Sequence, residues 1–388
     1  MKLRRRNFLH LAAGAGQMVF PPPKEALIPR AQNFALTDRT KTGEPDMAAF
    51  QEVFRRSGID ERRSPPGMVV PFGGSNIVAL IDPGRKLKVD PNPHALGIKE
   101  IDGADTLRRV MQARDTFSEP DIDPQLRAAS LPTTFNGDAR FFEINGRIKP
   151  IGFPGLEVVA RSAGRKIEAK LHVVVLPEIK IKVAFRNVMV PGSGGAPAFH
   201  AKKPCNEQDE LLTMNNIWRP QANIRFERVP SDWLVIDDSQ AAVKQDLATA
   251  TGMKDASLAT FPDVIDVEKL KGFFVKHKVQ GAHLTIFCVD KVWSNGGPAN
   301  GSFARSLDLA FISSQRGPNT SAHESGHFLG YYSKSASKPW DSQGHTLETD
   351  PKTGKENRAE DIKMLMRGGG AGWKIPFNLV KEFRDFPG

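Results

Sequence analysis
The chain has 388 residues, a formal net charge of +10 and two cysteines, Cys205 and Cys288. Two cysteines exclude a disulfide framework and any cysteine-based zinc cluster, and 39% hydrophobic with 25% charged residues is enough apolar content to bury a core. The length suits two domains, and the basic residues fall in short scattered clusters such as Arg4-Arg5-Arg6 and Lys202-Lys203, which argues against a nucleic-acid-binding stripe.

The N-terminus reads MKLRRRNFLHLAAGAGQMVF. Three arginines precede a short apolar run, and Arg5-Arg6-Asn7-Phe8-Leu9 resembles the core of a twin-arginine export signal, so residues 1–32 are expected to direct export to the periplasm or the exterior. The run is too short for a stable membrane anchor, and no later stretch is long and apolar enough to be an integral membrane segment. Residues 33–66, with TDRTKTGEPD and RRSPPG, read as a polar linker.

From residue 67 the pattern changes to short apolar runs divided by Pro, Gly, Asn and Asp: MVVPFG, NIVALID, KLKVD, ALGIKEI, then ARFFEI, GLEVVAR, IEAKLHVVVL and IKIKVAFRNVMV. In KIEAKLHVVV, Ile167, Ala169, Leu171, Val173 and Val175 alternate with other residues, the period of a half-buried strand. Successive strands without helices predict an antiparallel β-sandwich over 67–195, resembling an immunoglobulin-like module. Its partner is not legible, and His94 and His172 are expected to be surface or packed histidines. PGSGGAPA, residues 191–198, is the expected boundary.

Beyond it, strands and helices mix. EQDELLTMNNIWRPQ sets Leu211, Leu212, Met214, Asn215 and Trp218 on one helical stripe, ANIRFERV alternates as a strand, VEKLKGFFVKH is a second helix, and AHLTIFCV and LDLAFIS are short strands. The fold class is therefore α+β, with a mixed second domain over 199–388.

LDLAFIS leads into TSAHESGHFLGYYS. His323 and His327 stand four residues apart, which on a helix puts both imidazoles on one face, close enough to hold one ion. Glu324 sits beside the first, within reach of a water on that ion. Gly330 follows three residues after the second histidine, where a helix end and a sharp turn are expected. Further on, MLMRGGG places Met366 in a tight turn.

His323, Glu324, His327, Gly330 and Met366 together resemble the metzincin zinc metalloproteases, whose pattern is HExxHxxGxxH followed by a Met-turn. The resemblance covers roughly 199–388 and takes LLTMNNIWRPQANIRFE as that fold's first long helix and second strand. It implies a Zn2+ cofactor, a protein or peptide substrate and hydrolysis with Glu324 as general base, Met366 acting as a packed floor and not as a ligand. Ser333 departs from the pattern, standing where the third histidine belongs, and a hydroxyl is a poor zinc donor. His345, carried to the site by a longer loop, is the expected third ligand, with Asp341 and Glu360, the latter as in a thermolysin-like enzyme, as alternatives. A catalytically degenerate zinc-binding protein is the rival reading. Trp293, Trp340 and Trp373 are candidate cleft residues. Cys205 and Cys288 are left open between a disulfide and free thiols, with a cysteine switch at Cys205 a further option.

Overall fold
The structure is a computed structural model of the whole chain. It describes residues 67–82, 86–90, 96–102, 139–191, 197–200, 204–236, 265–294, 297–334 and 377–387, together with 34–35, 59–60, 347–349, 356–358, 365–366 and residues 242, 245, 249 and 375. The export-signal segment, nearly all of the linker and His345, Asp341, Glu360, His94, Trp340 and Trp373 lie outside the described residues.

Six longer strands build the first half: β1 (Gly67–Pro71), β2 (Ser75–Ile81), β3 (Gly97–Ile101), β4 (Ala139–Asn145), β5 (Ile151–Arg161) and β6 (Ile167–Leu176). One sheet contains β2, β4 and β3 in that order, and a second contains β1, β6 and β5. Their facing side chains, among them Met68, Val70, Val78, Leu80, Phe141, Ile144, Leu171 and Val173, form one apolar core. The expected wholly antiparallel arrangement fails at one pair, since β1 runs parallel to β6. These strands are far apart in sequence, so no tight hairpin forces them to run in opposite directions.

The alternation in β6 explains how the halves join. Ala169, Leu171 and Val173 are buried and their neighbours only half-buried, but from Val173 to Leu176 every residue is buried. Val173 and Val175 fill the first core, whereas Val174 and Leu176 enter the core of the second half, as does Val69 of β1. A strand buried on both faces loses its period-2 signature. The C-terminal helix, Phe377–Phe383, closes the seam. Phe377 takes the space a Cβ on Gly67 would need, and just beyond the helix the Arg384 guanidinium donates to the carbonyls of Ala222, Asn223 and Pro177.

The second half is a mostly parallel sheet with helices. Its strands include β7 (Ile179–Pro191), β8 (Ile224–Arg228), β9 (Leu284–Val289), β10 (Gly301–Ala304) and β11 (Leu309–Ser313), with the short strands Pro197–His200 and Leu234–Val235 also paired to β7; its helices include α1 (Glu207–Ala222), α2 (Val267–Lys276), α3 (Thr320–Tyr331) and α4 (Phe377–Phe383). The expected last strand of the first half, β7, is instead the middle of this sheet, with β8 parallel on one side and β9 parallel on the other. β11 continues the sheet in parallel, and β10 is antiparallel at the edge. A parallel sheet covered by helices needs continuous apolar strands, and β9 and β11 are buried at every residue. No helix among the described residues is long and apolar enough to cross a membrane.

Candidate metal and acid site on helix α3
Helix α1 begins at Asn206, whose side-chain oxygen accepts from the Gln208 amide, and carries Glu207, Asp209 and Glu210 in its first turn, where the helix dipole favours anions. It ends at Asn223 in the left-handed region. The apolar stripe read from sequence is buried at Leu211, Met214 and Trp218. Trp218 then reaches across to α3: its Nε1–H donates to the Ala322 carbonyl at 3.1 Å. The loop entering α3 is pinned to α1 by Arg316, which donates to Glu210 at 2.7 Å and to the Pro204 carbonyl at 3.2 Å.

Helix α3 is buried along nearly all its length, His323 and Glu324 included. It runs through Gly330 to Tyr331 and is followed by Tyr332 in the right-handed region. The helix end expected at Gly330 comes one residue later, at Tyr331, and the Ser333 amide donates back to the Gly330 carbonyl, so the chain leaves by a tightened last turn.

The two imidazoles meet as the four-residue spacing requires. Their Nε2 atoms are 3.0 Å apart, with ring planes at 87°. Two nitrogens on one tetrahedral zinc lie about 3.3 Å apart, given bonds of about 2.0–2.1 Å, so the pair is close to the separation such an ion needs. His323 Nδ1 lies 2.5 Å from the Leu365 carbonyl. A carbonyl only accepts, so Nδ1 carries the hydrogen and Nε2 of His323 presents its lone pair, the tautomer a metal ligand needs. His327 is half-buried.

Glu324 is fully enclosed. Burial pushes its carboxyl up to about 8, and its Oε2 has no hydrogen-bond partner among the described residues. The carboxyl packs on the edge strand β10 at Gly301, where a Cβ would come within 2.5 Å of Oε1. Any larger residue there would displace the acid. A buried carboxyl without a partner is costly, and such groups concentrate at working sites.

Leu365 and Met366 sit directly against α3. Met366 is buried, and its Sδ occupies the place a Cβ on Gly326 would take, so Gly326 is the gap that lets this turn approach the histidine face. Met366 is legible in the sequence as a floor residue; the Leu365 carbonyl, Gly301 and Gly326 are not, because a backbone contact leaves no side-chain signal.

Ser333 has another role. Its hydroxyl donates to Glu382 of α4 at 2.7 Å. Among the described residues no third His, Cys, Asp or Glu groups with His323 and His327. Elsewhere, Trp293 is exposed on the strand Val292–Ser294, and His172 is half-buried beside Glu157 on the outer face of β6. Cys205 and Cys288 form a disulfide that ties the segment before α1 to β9. Asn187 on β7 steadies it, accepting from the Cys205 amide at 2.8 Å and donating to the Cys205 carbonyl at 3.2 Å. That pairing removes a free thiol at Cys205 as an internal zinc blocker.

Comparison of the chain with protein-family models, curated proteins and solved structures yields no match.

Proposed function
We propose that the protein is an exported zinc-dependent endopeptidase of metzincin type, in which His323, His327 and His345 hold Zn2+ and Glu324 is the general base. The observation that carries the reading is the pair of imidazole Nε2 atoms 3.0 Å apart, next in the chain to a buried carboxyl whose Oε2 has no hydrogen-bond partner among the described residues. A carboxylate oxygen buried without a hydrogen-bond partner among the described residues costs stability unless a cation or a reaction uses it. The turn at Leu365 and Met366, set against the same face, agrees with a Met-turn.

When bound, Zn2+ supplies Lewis-acid polarisation of a carbonyl and a water acidic enough to react near neutral pH. The chain's own groups do the rest. Glu324, whose affinity for a proton burial has raised towards neutral pH, takes a proton from the attacking water and returns it to the leaving nitrogen. The Leu365 carbonyl keeps His323 in the ligating tautomer. The edge strand β10 pairs with β11 on one side and, among the described residues, with no strand on the other. A substrate backbone in extended form is taken up there by main-chain hydrogen bonds, beside Gly301 and therefore beside the acid. Enclosure of Glu324 limits competing water.

Export is supported by the Cys205–Cys288 disulfide, a bond that persists in oxidising compartments. The two sheets of the first half, facing each other over one core, agree with an immunoglobulin-like sandwich.

The test is peptide hydrolysis by the zinc-supplemented chain beside Glu324→Gln. The parent is expected to cleave an unstructured protein substrate and the variant to retain zinc with at least a hundredfold loss of rate. Equal turnover in both would remove Glu324 from the chemistry. Zinc bound by a parent that cleaves nothing would favour the degenerate, interaction-only reading.

A further inference from the structure
The histidine stripe does not stop at His327. Residues 323, 327 and 331 are spaced by four on α3 and share one face, and the third of them is Tyr331, which is 42% exposed. An aromatic ring left in solvent on an otherwise buried helix calls for a reason. Tyr331 is not loose: its ring centroid is 5.3 Å from Tyr332 and 6.4 Å from Phe303. Phe303 also meets Phe328 at 6.2 Å.

Phe303 lies on the edge strand β10, two residues beyond Gly301, so both point to the same face, toward α3. The contacts agree: Gly301 lies against Glu324 and Phe303 against Phe328 and Tyr331. Ser302 between them points the other way, its hydroxyl 2.9 Å from Ser294. β10 and α3 thus run side by side with two stations, an acid at the first and an aromatic wall at the second.

We propose that Phe303 and Tyr331 form a specificity subsite that takes an aromatic or large aliphatic side chain of the peptide substrate. The inference rests on the reading that substrate lies extended along β10. A strand so placed presents alternate side chains to the α3 face, and residues two apart fall at the two stations. The side chain two positions from the bond held near Glu324 therefore meets the exposed face of Tyr331 and the half-buried ring of Phe303. Offset or edge-on ring contact supplies the preference, and an alanine there leaves the wall unfilled.

The experiment reads binding, so that it does not depend on turnover. The probe is a series of fluorescein-labelled heptapeptides of Gly, Ala and Ser with one Phe stepped through the sequence, followed by fluorescence anisotropy on the chelator-treated full chain. One Phe position is expected to tighten binding about five- to tenfold over the peptide without Phe. Tyr331→Ala is expected to abolish that gain, Tyr331→Phe to keep it, and the peptide without Phe to bind all three chains equally. Phe303→Leu, which retains apolar volume, is expected to reduce the gain without unfolding the chain. A gain that survives in Tyr331→Ala, or no gain at any position, overturns the proposal. The peptidase reading fails differently, by absence of cleavage of the same peptides in the zinc-supplemented parent while Tyr331-dependent binding persists.

Discussion

Replacing Glu324 by Gln exchanges a buried carboxyl for a neutral group of the same shape, and the consequence for stability follows from the carboxyl's enclosure. Burial raises its pKa from 4.5 to about 8 in the folded, metal-free chain. The folded state therefore holds a proton that the unfolded chain releases, and the carboxyl's contribution to stability falls as pH rises from 4.5 towards 8. At about 1.36 kcal/mol for each pH unit in that window, the penalty is about 0.8 kcal/mol at pH 5 and about 3.3 kcal/mol at pH 7. Glutamine carries no such dependence, so the variant gains on the parent by about 2.5 kcal/mol between those pH values. With an unfolding entropy of about 2.1 cal/mol/K per residue over 388 residues, this is about 3 °C in Tm. Differential scanning fluorimetry of both chelator-treated chains from pH 5 to pH 8 reads it directly. A parent-to-variant difference that stays constant across that range would mean that Glu324 titrates as an ordinary solvated or paired carboxylate.

Three further outcomes are expected. Gly326→Ala drives a methyl group into Met366 Sδ; it should cost about 1–3 kcal/mol by overpacking and weaken metal binding, both read by thermal unfolding with and without added zinc. The double variant Cys205→Ser with Cys288→Ser opens a loop closed over a separation of 83 residues, and should lose about 2–5 kcal/mol of stability, matched by the parent in reductant. Ser333→Ala removes the hydrogen bond to Glu382 at a cost of about 1 kcal/mol, yet should leave metal stoichiometry unchanged; loss of zinc would make Ser333 a ligand after all.

The sequence is most legible where one side chain repeats at one period. The stripe through Leu211, Met214 and Trp218 and the four-residue spacing of His323 and His327 both describe helix faces, and α1 and α3 follow them. It is least legible where two surfaces compete for one strand. Val69, Val174 and Leu176 serve the second core while their neighbours serve the first, so the run there carries no period that assigns it to either half. The same ambiguity assigns β7 to the first half on sequence, although its partners, β8 and β9, come from much later in the chain. Parallel pairing across such distances leaves no local mark. Within the candidate site, the acid and the imidazoles are visible, but their supports are a carbonyl at Leu365 and two glycines, 301 and 326, that fit because they lack a side chain. Gly330 marks the helix end to within one residue, since the helix stops at Tyr331.

Whether this helix face holds a metal ion is read from zinc content per chain, measured by plasma emission spectroscopy on protein purified without chelator. Close to one zinc is expected in the parent and in Glu324→Gln, and close to none in His323→Ala and His327→Ala. A parent that takes up no zinc, or histidine variants that keep it, would contradict the claim that this helix face holds a metal ion.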